Sequence, residues 1–171
     1  MKTVEACDLE RGSLCGYGGI KWAVLGFVGG FALCIADSVV CRRAFDEKNR
    51  SNFAISSLRA WLNGEFFRNL VDNGAEEDAF EDFRLALTSD DGLDDYGTDE
   101  VTIGLISCNS YRVYRRYMPR AAEWWWTCTP RSTESGEDGK DVRSVNSSGA
   151  LGSVSADSGY GGVRPLCLLR T

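Results

Sequence analysis

Ser132, Thr133, Glu134, Ser135, Ser144, Asn146, Ser147, Ser153, Ser155, Asp157, Ser158 and Tyr160 crowd the last quarter of this 171-residue chain. Hydroxyls, an amide and carboxylates at such density suit adaptable hydrogen bonding to a partner surface. Tyr adds contact area at low entropy cost, as in antibody paratopes. Of the 32 residues from Arg131 to Gly162, 15 are Ser or Gly, a composition that resembles a linker. Val142, Val145, Leu151, Val154 and Val163 interrupt it, so short strands and ordered loops are expected. An ordinary solvated loop face is the alternative to a binding surface.

Other chemistries are poorly supplied. The chain has no His. That removes the commonest general base, the Ser-His and Cys-His nucleophile pairs, and imidazole metal sites. The net charge is −6 and the pI near 4.8, which argues against a nucleic-acid binder. Seven Cys occur, with no C-x-x-C and no apolar leader in "MKTVEACDLERG". Free, mostly buried thiols are expected, with disulfide pairing as the alternative, and a cytoplasmic or virion-associated setting follows. No cofactor and no metal is expected.

Charge is unevenly spread. Residues 71–100 hold 12 of the 25 acids and one base, Arg84. "SDDGLDDYGTDE" could gather calcium, but its Gly and final Glu miss the EF-hand offsets, so a solvated acidic loop is expected. Arg112, Arg115, Arg116 and Arg120 form a basic patch on "NSYRVYRRYMPR". Phosphate contact is one reading. A solvated helix face near the acidic segment is the other, and the overall charge favours it.

These residues need a scaffold. Apolar runs at 20–27 and 31–36 flank Gly29-Gly30 and predict a buried hairpin rather than a membrane span over Trp22–Val40. "AISSLRAWLNGEFFRNLV" predicts a helix capped by Ser56 or Ser57, with Gly64 able to split it. "VTIGLIS" predicts a strand and 109–120 a helix. "WWWTCT", "DVRSV", "ALGSVSA" and "GVRPLCLL" predict later strands, with "NSSG" a turn. At least two of Trp124, Trp125 and Trp126 are expected in the core, with any exposed one, by strand alternation, bordering the polar face.

Taken in order, "IKWAVL", "SSLRAWLNGEFF", "DDGLDDYGT", "IGLISCNSYRVYRRYMP", "WWWTCTP", "VRSV…GAL" and "GVRPLC" resemble a large family of bacterial and prophage proteins. The resemblance covers roughly residues 18 to 169. It implies a single α+β, C-type-lectin-like domain over 1–171, with two or three short helices and small, mainly antiparallel sheets. It also implies scaffold roles for Trp61, Trp125, Trp126, Gly162 and Arg164, the last bonding loop carbonyls. Many such proteins resemble the variable proteins of diversity-generating retroelements, in which selected surface positions change while the scaffold stays. Region 131–162 would be the variable part. The lectin calcium motifs (E-P-N or Q-P-D) and the paired reactive Cys of oxidase relatives are not evident here. The expectation is a non-enzymatic recognition protein whose partner is a protein or other macromolecule, with no nucleic acid and no membrane span. A structural component of a phage particle or mobile element is the alternative, followed by an oxidase-like enzyme.

Overall fold

The computed structural model describes residues 9–171. Cys7 and most of the opening segment read for a leader lie outside the described residues. Strand β1 (Leu14–Tyr17) leads into the hairpin of β2 (Ile20–Val28) and β3 (Phe31–Ala36). Gly29, at φ 57°, makes the turn between them, a conformation that costs glycine little. Trp22 to Gly26 are buried without a break, as in a strand covered on both faces. Among the described residues no helix is long and apolar enough to cross a membrane.

After the short β4 (Cys41–Arg42), the chain enters one helical run. Ser56 Oγ accepts from Arg59 N at 3.1 Å and caps α1 (Ser57–Trp61). Gly64 does not split the run. A wider π turn over Leu62–Phe66 carries it into α2 (Phe67–Asp72). Asn63, within that turn, grips the sheet beside it. Its Oδ1 accepts from Thr102 N (3.2 Å) and Ile103 N (3.0 Å), and its Nδ2 donates to Ile103 O (2.9 Å).

Short strands follow: β5 (Phe80–Glu81), β6 (Phe83–Ala86), β7 (Thr98–Val101) and β8 (Ile103–Gly104). The strand expected over 101–107 is therefore interrupted, and Leu105 and Ile106 are buried outside it. Helix α3 (Cys108–Tyr114) is capped by Ser107 Oγ and tightens into a 3-10 turn at Arg115–Tyr117, short of Pro119. Then come β9 (Trp125–Pro130), β10 (Asp141–Val145), β11 (Leu151–Ser155), β12 (Gly162–Val163) and β13 (Leu166–Arg170).

The architecture is α+β with several small, mostly antiparallel sheets. One sheet runs β1-β2-β3-β13-β5, with β8 also on β13; the second runs β11-β10-β9-β12-β4; β6 and β7 pair alone. The expected closing strand over 162–169 is in fact two strands in two sheets. Pro165 has no N–H to continue a ladder, and its carbonyl instead accepts from Ala36 N at 2.9 Å. One core holds Trp22, Phe45, Phe53, Leu62 and Trp126; a second holds Leu25, Ile35, Tyr111, Trp125 and Val145. The second sheet separates the two cores at β9, so adjacent Trp125 and Trp126 are both buried. Trp124 precedes the strand, is half-buried, and packs edge-on against Trp126 at 4.9 Å. The less buried Trp thus shares a side with Trp126, as the alternation of a strand requires.

Candidate functional site

The polar tract wraps the β10–β11 hairpin at the edge of the second sheet. Residues opposite one another run from Asp141↔Ser155 to Val145↔Leu151. On one face Val142 and Ser144 point into the first core. On the other, Arg143 and Asp141 lie beside Ser153 and Ser155. Arg143 Nη1 donates to Ser153 Oγ at 2.8 Å, and Ser155 Oγ donates to Asp141 at 3.4 Å. Arg143 also pairs with Asp90 at 2.7 Å, and Arg112 approaches the same carboxylate at 3.6 Å. Arg112 at Asp90 sets the basic helix beside the acidic segment, as the sequence suggests, whereas the part of Arg143 carries no signal in the sequence.

The structure divides the expected surface residues. Glu134, Ser135, Asn146, Ser147, Ser153, Ser155, Asp157 and Tyr160 are exposed, and Ser158 is half-buried. Tyr160, at 77% exposure, is the most open large hydrophobic side chain among the described residues. Ser132, Thr133 and Ser144 are buried, so these three are corrected from surface to scaffold positions. Ser132 Oγ donates to Asp91 at 2.7 Å and accepts from Glu137 N; Thr133 Oγ1 donates to Asp95 at 2.7 Å. Ser144 sits opposite Trp126 and is 3% exposed, while its neighbour Val145, on the other side of the strand, packs in the second core with Trp125.

The exposed residues do not form one patch. Asn146 and Ser147 lie in the hairpin turn. Ser135, Ser155, Asp157 and Tyr160 lie toward the other end of the strands, about 13 Å of β-strand away at 3.3 Å per residue. Asn146 is partly committed, since its Oδ1 accepts from Ser148 N, Ser148 Oγ and Ala150 N. Its Nδ2 is the group left for a partner.

The acidic loop is a built element. Asp91 is held below the ordinary carboxylate range by the hydroxyls of Ser89 and then Ser132. Asp95 is lowered by Thr133 first, with Ser135 adding to it. Hydroxyls from the polar tract thus occupy these carboxylates. Among the described residues no group of three or more acids and thiols is placed to hold a metal ion.

The scaffold positions are closely fitted. Arg164 is 1% exposed; its Nε donates to Ala36 O (3.0 Å) and its Nη2 to Asp37 O and Pro119 O (both 3.1 Å). Its guanidinium lies 4.8 Å from the centre of the Trp125 ring. A Cβ on Gly162 would come within 2.6 Å of Trp124 O. Trp61 is half-buried under the Arg43 guanidinium, 4.4 Å away, and its Nε1 is buried without a partner. The six cysteines among the described residues are free thiols. Burial raises the Cys128 thiol to about 12, and burial likewise raises Cys167 and Cys108, which makes them poor nucleophiles.

No curated protein and no solved structure matches this chain. A family model does match residues 75–171, from just before β5 to the end, which takes in the acidic loop, the tryptophan strand and the polar hairpin. That span is more than half of the molecule, and the chain therefore belongs to the family described as Domain of unknown function (DUF6273).

Proposed function

We propose that this chain is a non-enzymatic recognition protein. Its partner is a protein or other macromolecule, met by the exposed polar residues around the β10–β11 hairpin. The observation that carries the reading is the sorting of the tract by depth. Asn146, Ser147, Ser153, Ser155, Asp157 and Tyr160 face outward, while Val142, Val145, Ala156 and Val163 between them are buried. Changeable polar groups on a fixed apolar frame suit a surface that can vary without unfolding the molecule. The absence of His and the raised thiols support the lack of an enzymatic role. A C-type-lectin-like scaffold fits the last strand lying beside the N-terminal hairpin and the loop-rich second sheet.

The reading extends to a diversified protein of a retroelement cassette, acting in the cytoplasm or on a virion. Sequencing related copies of the gene tests it. Substitutions should concentrate at Ser135, Asn146, Ser147, Ser153, Ser155, Asp157 and Tyr160 and spare the buried Ser132, Thr133 and Ser144. An even spread of substitutions over exposed positions throughout the chain would reject diversification. Binding itself is tested by changing Ser153, Ser155 and Tyr160 together to Ala and measuring capture of any partner recovered with the intact protein. Undiminished capture would reject this face as the binding surface.

A further inference from the structure

A cleft of about 220 Å³ opens where α3, the Met118–Ala121 segment and the hairpin turn meet. Arg115, Arg120 and Arg164 line it, with Tyr111, Trp125 and Asn146, and no Asp or Glu does so among the described residues. In a chain of net charge −6, three guanidiniums around one concavity make a local positive focus. None of the three has a carboxylate partner within salt-bridge distance among the described residues.

Arg164 is the informative member. It is 1% exposed, yet every hydrogen bond it makes goes to a neutral backbone carbonyl. Carbonyls orient the guanidinium and leave its charge uncancelled. Its Nη1 donates to nothing among the described residues. That nitrogen is also absent from the sealed, unpartnered polar atoms there, which are Asn49 Oδ1 and Trp61 Nε1. So a donor remains open on a side chain otherwise fixed in place. Burial lowers Arg164 to about 10, with Asp37 and Tyr111 partly opposing, so it remains a cation at neutral pH. The floor is rigid as well. Tyr111 meets Trp125 edge-on at 5.7 Å and donates its hydroxyl to Gly149 O at 2.6 Å; Arg115 lies 5.4 Å from the Tyr111 ring.

We propose that this cleft binds an oxyanion, the carboxylate or phosphate group of a small ligand. Arg164 is the preset donor, and Arg115 and Arg120 close over the group from the rim. The guanidinium fork matches either oxyanion, and the volume admits one such group with a small body rather than a macromolecular segment. The site does not depend on the recognition face described above, since Asn146 alone is common to the two.

The test is a titration of the isotope-labelled protein at low ionic strength, with inorganic phosphate in one arm and succinate in the other, followed by NMR. Saturable shifts centred on the Trp125 indole, Asn146 and Gly149 are expected in at least one arm, and the arm that responds identifies the oxyanion. The Arg115→Gln/Arg120→Gln variant, changed only at exposed positions, should bind at least about tenfold more weakly with an unaltered near-UV spectrum. Ser153→Ala/Ser155→Ala should bind as the parent does, which separates this site from the recognition face. No saturable shift in either arm, or a smaller loss in the double arginine variant, overturns the proposal.

Discussion

At Gly161 the backbone runs against the indole of Trp126. A Cβ there would lie 2.0 Å from Trp126 Nε1 and 2.3 Å from Cε2. The ring has no exposure and donates to Arg43 O at 2.8 Å, so it cannot retreat without losing that bond. Gly161→Ala should therefore cost about 3 kcal/mol, from overpacking and a strained or lost buried hydrogen bond. Gly159, two positions earlier, has open space around it, and Gly159→Ala should stay within about 0.5 kcal/mol. Urea midpoints of the two variants measure the contrast, and equal midpoints would contradict the close fit. This degree of detail is only partly legible in the sequence. Trp125 and Trp126 announce a core by type, whereas the scaffold role of Arg164 is implied only by the family resemblance. Ser144 shares a side with Val142 by plain alternation, but that this side is covered follows from its place opposite Trp126 of β9, which no local pattern encodes. Ser132 and Thr133 look like loop hydroxyls until Asp91 and Asp95, about forty positions away, are seen to receive them.

Elements were legible where periodicity and turn chemistry agreed. The β2–β3 hairpin and β10 stand where apolar runs and Gly or Asx turns place them. The run "VTIGLIS" misled because apolar residues serve equally in a strand or in a buried extended link. Gly104, the last residue of β8, is packed so closely that a Cβ there would come within 2.8 Å of Leu85 Cδ1, and the chain leaves the ladder after it. Between elements, Asn63 acts as a clip from the helical run to the β7–β8 backbone. Asn63→Ala strands two backbone N–H groups and a carbonyl, and should cost about 2 to 3 kcal/mol in thermal or chemical unfolding. A cost below about 0.5 kcal/mol would mean that water replaces the amide freely. The contact between the acidic loop and the polar tract should show itself through pH. Asp91 and Asp95 are lowered chiefly by hydroxyl donors. For Asp46 burial is the largest influence and acts upward, yet Arg50 and the backbone N–H groups of Ser57 and Arg50 outweigh it. A carboxyl lowered on folding stabilises the folded state above its unfolded value of about 3.9, and that contribution is lost as pH falls through the lower folded value. Stability should hold from neutral pH to about 5 and decline below about 4. Ser132→Ala/Thr133→Val should flatten part of that decline, with the Asp46 share persisting. An identical pH profile in the variant would show that the loop contributes nothing to acid lability.

At the scale of the molecule, the two ends of the described chain are stitched together. Strand β13 lies between β3 on one side and β5 and β8 on the other, with Leu166–Arg170 opposite Ile35–Phe31. Leu166, Cys167, Leu168 and Leu169 are all buried, and they serve both cores. Arg164, just before, fixes the crossing from the second sheet to the first through carbonyls at Ala36, Asp37 and Pro119. Pairings of such long sequence separation carry a large loop-closure cost before they stabilise anything. Without β13 the edges of β3, β5 and β8 would be left unpaired, and both cores would open to water. A chain ending at Pro165 should then lose cooperative unfolding altogether, although it keeps 165 of the 171 residues. Differential scanning calorimetry of the shortened chain tests this. A single sharp transition within a few degrees of the full chain's would show that the N-terminal hairpin and the polar sheet stand without their central strand. The opposite result would place the proposed recognition surface at the outer edge of a molecule whose integrity rests on its last residues. Changes at Ser153, Ser155 or Tyr160 could then accumulate with little cost, while Leu166–Leu169 could change hardly at all.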